Sequence, residues 1–412
     1  MDVSFVRKKF PALERDFIFM DNAGGSQILG SSIDYINEYY KNYNVQLGAS
    51  YKVSATAGEK LEQATKQVAG FINSPGHKEV VMGPSTSMLL RILSLSLSAE
   101  WQEGDEVIVT NTDHEANVSC WTDLEQQGIK IKIWKANQDD FELKIEELEN
   151  LLSSRTRLVA VTHCSNILGS INPIKKITGV VHNAGALICV DGVAYAPHRK
   201  VDVQELGVDF YIFSWYKLYG PHLAVMYGKI DLFTKMKGIN HYFFKPDDVP
   251  YKFQPGNYNF ELTYSLKGVT EYFTKFHDYH YPDDESDVDE RKKQAGSFEL
   301  IASYEEQLAA PLLEYLASVP DVKIIGEPTA DSKKRVPTIS FIHKDFSSRE
   351  IVERTDPYNI GIRFGDFYAK KLVADFDLLQ YEGVVRVSLV HYNTIEEVKK
   401  LIEVFKRIFS NA

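Results

Sequence analysis

Residues 213 to 222 read FSWYKLYGPH and set Lys217 between an apolar run, VDFYIFS (208 to 214), and a Gly220-Pro221 turn. A lysine at the carboxyl end of a buried strand sits in partly desolvated surroundings, which disfavour the ammonium form and free its lone pair for addition to a carbonyl. Schiff-base chemistry is the expected consequence. Upstream, ALICVDG (186 to 192) is built the same way, with a strand-like run that ends in Asp191. The 26 residues from 191 to 217 accommodate one connection and one strand, so both side chains can reach a single crevice. A Schiff-base lysine paired with a carboxylate that keeps a pyridine nitrogen protonated is the arrangement pyridoxal phosphate requires, because its ring withdraws electrons effectively only in that state. Taken alone, Lys217 reads as a surface lysine beside a turn and Asp191 as a strand-end aspartate. The pairing carries the inference.

The elements that must position these residues are visible as apolar runs: EVIVT (106 to 110), RLVAVTH (157 to 163), ALICV (186 to 190), VDFYIFS and LAVMYG (223 to 228). They are too continuous for strands with one wet face and read as central strands of a largely parallel sheet. KIEELENLLSS (144 to 154) and IKKITGVVHNAG (174 to 185) carry helical periodicity and would cover it, giving an α/β layered domain. Ser54 is expected to cap a helix with Leu61, Ala64, Val68, Phe71 and Ile72 on its buried stripe. EVVMGPSTSMLLRI (79 to 92) offers a strand, a Gly83-Pro84 turn and then Ser85, Thr86 and Ser87 at the start of an apolar helix. Amides and hydroxyls gathered there could meet a phosphate, although serine-rich caps also occur without ligands. The polar, acidic segment 277 to 294 reads as an exposed excursion near a domain boundary. A smaller α+β unit follows, ending in a helix opened by Thr394 with Glu397 completing a capping box.

The chain has 412 residues, 44% of them hydrophobic and 12% aromatic, enough to bury a large core and to divide into two domains. A formal charge of -11 argues against a general nucleic-acid binder. No apolar run approaches a membrane span, and the first residues, MDVSFVRKKFPALERDF, lack the apolar core of a secretory signal, so a cytoplasmic location is expected. Cys120, Cys164 and Cys189 form no closely spaced pair, which supports neither a disulfide framework nor a zinc ribbon; no metal is expected. Gly24, Gly25 and Gly30 do not form a dinucleotide fingerprint.

FSWYKLYGP resembles the Ser-x-His-Lys-x-x-Gly-Pro motif of the class V aminotransferase and cysteine desulfurase family, pyridoxal phosphate enzymes of fold type I. The resemblance continues through MDNAGGSQ (20 to 27), NVQLGASYKVSATAGEKLEQA (44 to 64), TDHEANVSCW (112 to 121), THCSNILGSINPI (162 to 174), VDGVAYAPH (190 to 198) and VVRVSLVHYNTIEEV (384 to 398). It implies an α/β fold with a large domain, a mostly parallel seven-stranded sheet covered by helices, and a smaller α+β domain. Residues 1–20 would be an amino-terminal arm joining the small domain, 21–276 the large cofactor-binding domain, 277–294 the excursion and 295–412 the small domain. It further implies that Lys217 carries pyridoxal 5'-phosphate and Asp191 bonds the ring nitrogen. His114 would stack on the ring and assist proton transfer, and Asn166 would meet the phenolic oxygen. Ser85, Thr86 and Ser214 would hold the phosphate. Tyr216 would line the site where the family has histidine, and Arg386 with Arg363 would receive the substrate carboxylate. Gly256 and Asn257 fall where the family reaches a neighbouring subunit's phosphate, Asn257 replacing a threonine, which implies a homodimer.

The pattern departs from the desulfurases at the sulfur acceptor. Their nucleophilic cysteine lies shortly after the first substrate arginine, where this chain reads RFGDFYAKKL (363 to 372) with Tyr368 in the approximate place of the thiol. Ala194 stands where desulfurases keep a glutamine. A phenol cannot accept sulfane sulfur, so the expected activity on an amino-acid substrate is carbon-sulfur or carbon-selenium β-elimination without an enzyme persulfide. The alternatives are a class V aminotransferase and a cofactor-binding regulatory protein without turnover.

Overall fold

The computed structural model describes residues 1–283 and 288–410. Seven segments rich in β-branched and apolar residues form the large sheet: β1 (Val80–Gly83), β2 (Glu106–Thr110), β3 (Lys130–Trp134), β4 (Thr156–Thr162), β5 (Leu187–Asp191), β6 (Phe210–Ser214) and β7 (Ala224–Gly228). Their spatial order is β1-β7-β6-β5-β4-β2-β3. From β3 through β6 every neighbouring pair is parallel, whereas β7 runs antiparallel to both β6 and β1. LAVMYG, grouped by its apolarity with the parallel strands, is therefore the reversed one. Apolarity on both faces reports burial, not direction, and the short turn through Gly220 and Pro221 leaves no room for a crossover helix. β3 escaped the sequence reading because KIKIW alternates lysine with apolar residues, as suits a partly exposed edge strand.

The covering helices lie close to their expected places, at Ile145–Leu151 and Ile174–Asn183. The helix Lys52–Phe71 buries Leu61, Ala64, Val68 and Phe71 as read, but Ser54 is not its cap. The helix starts earlier, and the Ser54 hydroxyl donates to Gln46 O at 2.7 Å and accepts from Ala49 N at 3.1 Å, tying the preceding loop to the helix. The segment 277–294 also differs from expectation. The helix Phe260–His280 runs into it and the helix Glu290–Ser318, capped by Asp289, begins within it, so its two ends are helical. Residues 284–287 of the expected excursion lie outside the described residues.

The carboxy-terminal unit carries a four-stranded antiparallel sheet of β8 (Val322–Ile325), β9 (Thr338–His343), β10 (Arg363–Gly365) and β11 (Val384–Ser388), ordered β10-β11-β9-β8. Its last helix, Ile395–Phe409, opens with the expected capping box: Glu397 N donates to Thr394 Oγ1, and Thr394 N to Glu397 Oε2, both at 3.1 Å. The amino-terminal arm straddles both units. Val6 and Phe10 are buried with the large-sheet core, whereas Ile18–Phe19 pairs in parallel with Ile360–Gly361. The helix Glu290–Ser318 does the same, with Phe298 and Ile301 in the large core and Leu308, Leu312 and Leu316 in the small one.

Candidate active site

Asp191 is the last residue of β5 and Lys217 closes a short 3-10 turn after β6, its parallel neighbour. The carboxyl ends of adjacent parallel strands open on the same crevice, where ligands of open α/β sheets bind. A cavity of about 80 Å³ lies there, lined by Ser85, Thr86, His114, Asn166, Asp191 and Lys217 among others. Burial pushes Asp191 up to about 6 against the pull of the Val193 amide, which donates to its Oδ1 at 2.8 Å, and of Lys217. Burial pushes Lys217 down to about 8, helped by Arg386 and opposed by Asp191 and Asp21. A lysine amine near neutrality facing a carboxylate across a desolvated crevice is equipped for imine chemistry.

The backbone beside Asp191 tolerates no side chain at the next position. A Cβ on Gly192 would stand 2.1 Å from the Tyr211 ring. Gly192→Ala is expected to destabilise the fold by about 1–3 kcal/mol through overpacking and to loosen cofactor retention by displacing Asp191. Thermal unfolding beside the cofactor content of the purified variant checks this. Equal stability and full cofactor would count against a rigid seat for Asp191.

At the other end of the cavity the helix Thr86–Ser98 presents its amino terminus, with the Ser85 hydroxyl accepting from Met88 N at 3.2 Å. Thr86 Oγ1 and Ser214 Oγ are 2.7 Å apart, so β6 and this helix place two hydroxyls and free helical amides together. That donor set fits a phosphate. His114 Nδ1 accepts from Ala116 N at 3.0 Å, which leaves the ring proton on Nε2. Burial, then the charges of Lys217 and Arg386, push it down to about 4, so it is a flat neutral ring at physiological pH. Asn166 Nδ2 donates to Phe367 O at 2.9 Å while its Oδ1 is buried without a partner. This orphaned amide end borders the cavity where the phenolic oxygen of the cofactor would come to rest. Tyr216 lines the cavity too, stacked on His222 at 4.8 Å with its ring 5.8 Å from Lys217 Nζ. The residues present thus fit pyridoxal phosphate at ring nitrogen, phenol, phosphate and aldehyde.

Arg386 lies on β11, fully buried, with Nη1 donating to Asn166 O at 3.1 Å and the Phe367 ring 3.7 Å from its guanidinium carbon. Arg363 is its direct partner on β10 and is more exposed. Asn257 is not brought to this cavity. It is exposed, its Nδ2 donates to Gln46 Oε1 at 3.1 Å, and it lines a separate groove of about 840 Å³ with Met88, His222 and Gln254. Two participants were missed by the sequence reading. Asp21 binds Arg386 Nη2 at 2.7 Å, and Phe367 packs beneath the same guanidinium. Asp21 stands within the MDNAGGSQ motif but gave no local signal of chemistry.

A deeply buried lysine–aspartate crevice on a mixed seven-stranded sheet, with a hydroxyl-rich helix terminus beside it, defines a fold type I pyridoxal phosphate enzyme. Comparison with known proteins specifies the family: the class-V aminotransferase model matches residues 18–286 and 291–401, and the chain belongs to that family. It is 44% identical over 405 residues to the aminotransferase-like protein FGM3 of Gibberella zeae, covering 96% of each chain. It is 35% identical to the cysteine desulfurase-like protein ustD of Aspergillus flavus, covering 97% of this chain and 89% of that one. Among solved structures, the cysteine desulfurase CsdA of Escherichia coli superposes with a TM-score of 0.83 at 25% identity, over 100% of this chain and 99% of that one. The protein is accordingly a pyridoxal phosphate-dependent enzyme. No described helix is long and apolar enough to cross a membrane.

Proposed function

We propose that this enzyme expels a sulfur or selenium substituent from the β-carbon of an amino acid without using a thiol of its own. The observation that carries the reading is the state of the three cysteines, all of which are buried. Burial pushes the Cys164 thiol up to about 12, and those of Cys120 and Cys189 are likewise raised by burial. Cys164 does line the cavity, yet its Sγ donates to Gly169 O at 3.2 Å, and burial outweighs the pull of Arg199 and Arg335 toward a thiolate. On the loop after Arg363 the residue offered at the mouth is Tyr368, with its ring 5.4 Å from that of His114.

The cofactor, when bound, supplies the electron sink. Arg386 anchors the α-carboxylate, and Lys217 Nζ is the base placed to remove the proton from Cα. His114, neutral with its proton on Nε2, packs over the site and excludes water. The β-substituent departs with the Cβ–S bonding pair, and addition of water to the remaining carbon skeleton releases a keto acid and ammonia. Asn257 is assigned to the phosphate of a second subunit in a homodimer, consistent with its exposure on the groove beside His222.

With an S-substituted cysteine, the purified enzyme is expected to release keto acid, ammonia and the intact sulfur fragment in equal amounts without an added keto-acid acceptor. An absolute requirement for an acceptor would instead identify an aminotransferase. Cys164→Ser is expected to keep this activity, whereas Arg386→Ala raises KM by about a hundredfold or more, as loss of a buried charge partner does. A Cys164→Ser protein with a normal cofactor spectrum and no sulfur release would sink the thiol-independent mechanism.

A further inference from the structure

Arg363 and Arg386 are paired across the register of β10 and β11. Like charges directly opposite on one sheet face repel. One carboxylate stands between them: Asp21 Oδ1 is 2.7 Å from Arg386 Nη2, and its Oδ2 is 3.8 Å from Arg363 Nη1. The backbone is built for this contact. Ser388 N donates to Met20 O at 2.7 Å and Asn22 N to Ser388 O at 3.3 Å, which lays residues 20–22 along β11 in parallel. Gly24 completes the fit, since a Cβ there would stand 2.7 Å from Asp21 Oδ2. The buried Nε of Arg386 has no hydrogen-bond partner among the described residues, so one donor of the guanidinium is left unpaired. The nearby Asp366 carboxylate is engaged by the Tyr368 amide at 2.9 Å.

We propose that Asp21 sets the charge selectivity of the substrate site: it neutralises one of the two guanidiniums, so that the pair accepts the single α-carboxylate of an amino acid and disfavours a second carboxylate on its side chain. This rests on the reading of Arg386 as the carboxylate anchor. An α-carboxylate would satisfy the unpaired Nε of Arg386, after which the two arginines face two carboxylates and are balanced. A further negative charge would meet Asp21 with no guanidinium left to offset it. Asp21 acts through the arginines and is a positioning residue.

The test is titration of the cofactor-loaded protein with L-asparagine and L-aspartate, which share a shape and differ by one charge, following the absorbance of the bound cofactor. The unmodified enzyme is expected to bind asparagine more tightly. In Asp21→Asn the ratio of dissociation constants moves toward aspartate by about tenfold or more, and Asp21→Glu largely restores the original ratio. Gly24→Ala crowds the carboxylate off the arginines without removing a charge and moves the ratio the same way, which decides the question if Asp21→Asn does not fold. An unchanged ratio in a cofactor-loaded Asp21→Asn protein overturns the charge filter. Arg386→Ala separates the two readings: if it abolishes binding of both ligands while Asp21→Asn leaves the ratio unmoved, only the filter fails. If it binds both as before, the anchor itself is wrong.

Discussion

Lys217→Ala yields a colourless protein that no longer retains pyridoxal phosphate covalently, with turnover reduced by about 10²–10⁴-fold or more from loss of the proton-transferring amine alone. The expectation rests on Lys217 being buried beside Asp191 at the mouth of two parallel strands. Borohydride reduction of the unmodified enzyme followed by peptide mapping checks it, and a pyridoxyl group on any other lysine would refute the site. The pH dependence has a definite sign. Burial holds Lys217 at about 8, so the neutral amine predominates above that pH and becomes scarce below it. Capture of pyridoxal phosphate by the cofactor-free protein should therefore slow about tenfold per pH unit below about pH 8 and level off above it. A capture rate that keeps climbing to pH 10 would mean that the lysine is not desolvated in solution.

Asp191→Ala is expected to keep the covalent link to Lys217 while lowering turnover by about 10²–10³-fold, the usual effect of removing one preorganised electrostatic partner. The two variants thus differ in kind. Lys217→Ala loses the cofactor from its tether, whereas Asp191→Ala retains a reducible label on Lys217 and loses the carboxylate that would hold the ring nitrogen protonated. Rapid kinetics on the labelled and reducible form distinguish them. Near-normal turnover in Asp191→Ala would mean that another group holds the ring nitrogen.

The parts of the site that were legible in the sequence share a property: each sits at the end of an element whose apolar pattern can be read locally. Asp191 ends a strand, Lys217 closes the turn directly after one, Thr86 starts a helix, and His114 and Asn166 follow β2 and β4. The fold class was legible for the same reason. What could not be read were relations made only in three dimensions. The antiparallel course of β7 depends on a short turn rather than on composition, and β3 looks polar because, at the sheet edge, it carries two lysines. Ser54 has the residue type of a cap, yet its hydroxyl serves the loop in front of it. Asp21 and Phe367 owe their places to Arg386, which reaches the site from another part of the chain.

The contact between Asp21 and Arg386 joins positions 365 residues apart in the chain. On a ribosome the seven strands that frame Lys217 and Asp191 are all available once residue 228 has emerged, whereas Asp21 must wait, unpaired, until β11 is made. The core behind the crevice also draws on Phe276, Phe298 and Tyr392, and Asn166 is held by Phe367 O, so the cofactor crevice too is completed only when late segments arrive. Both halves of the site thus mature together, once the chain's last strands have closed back on its first residues.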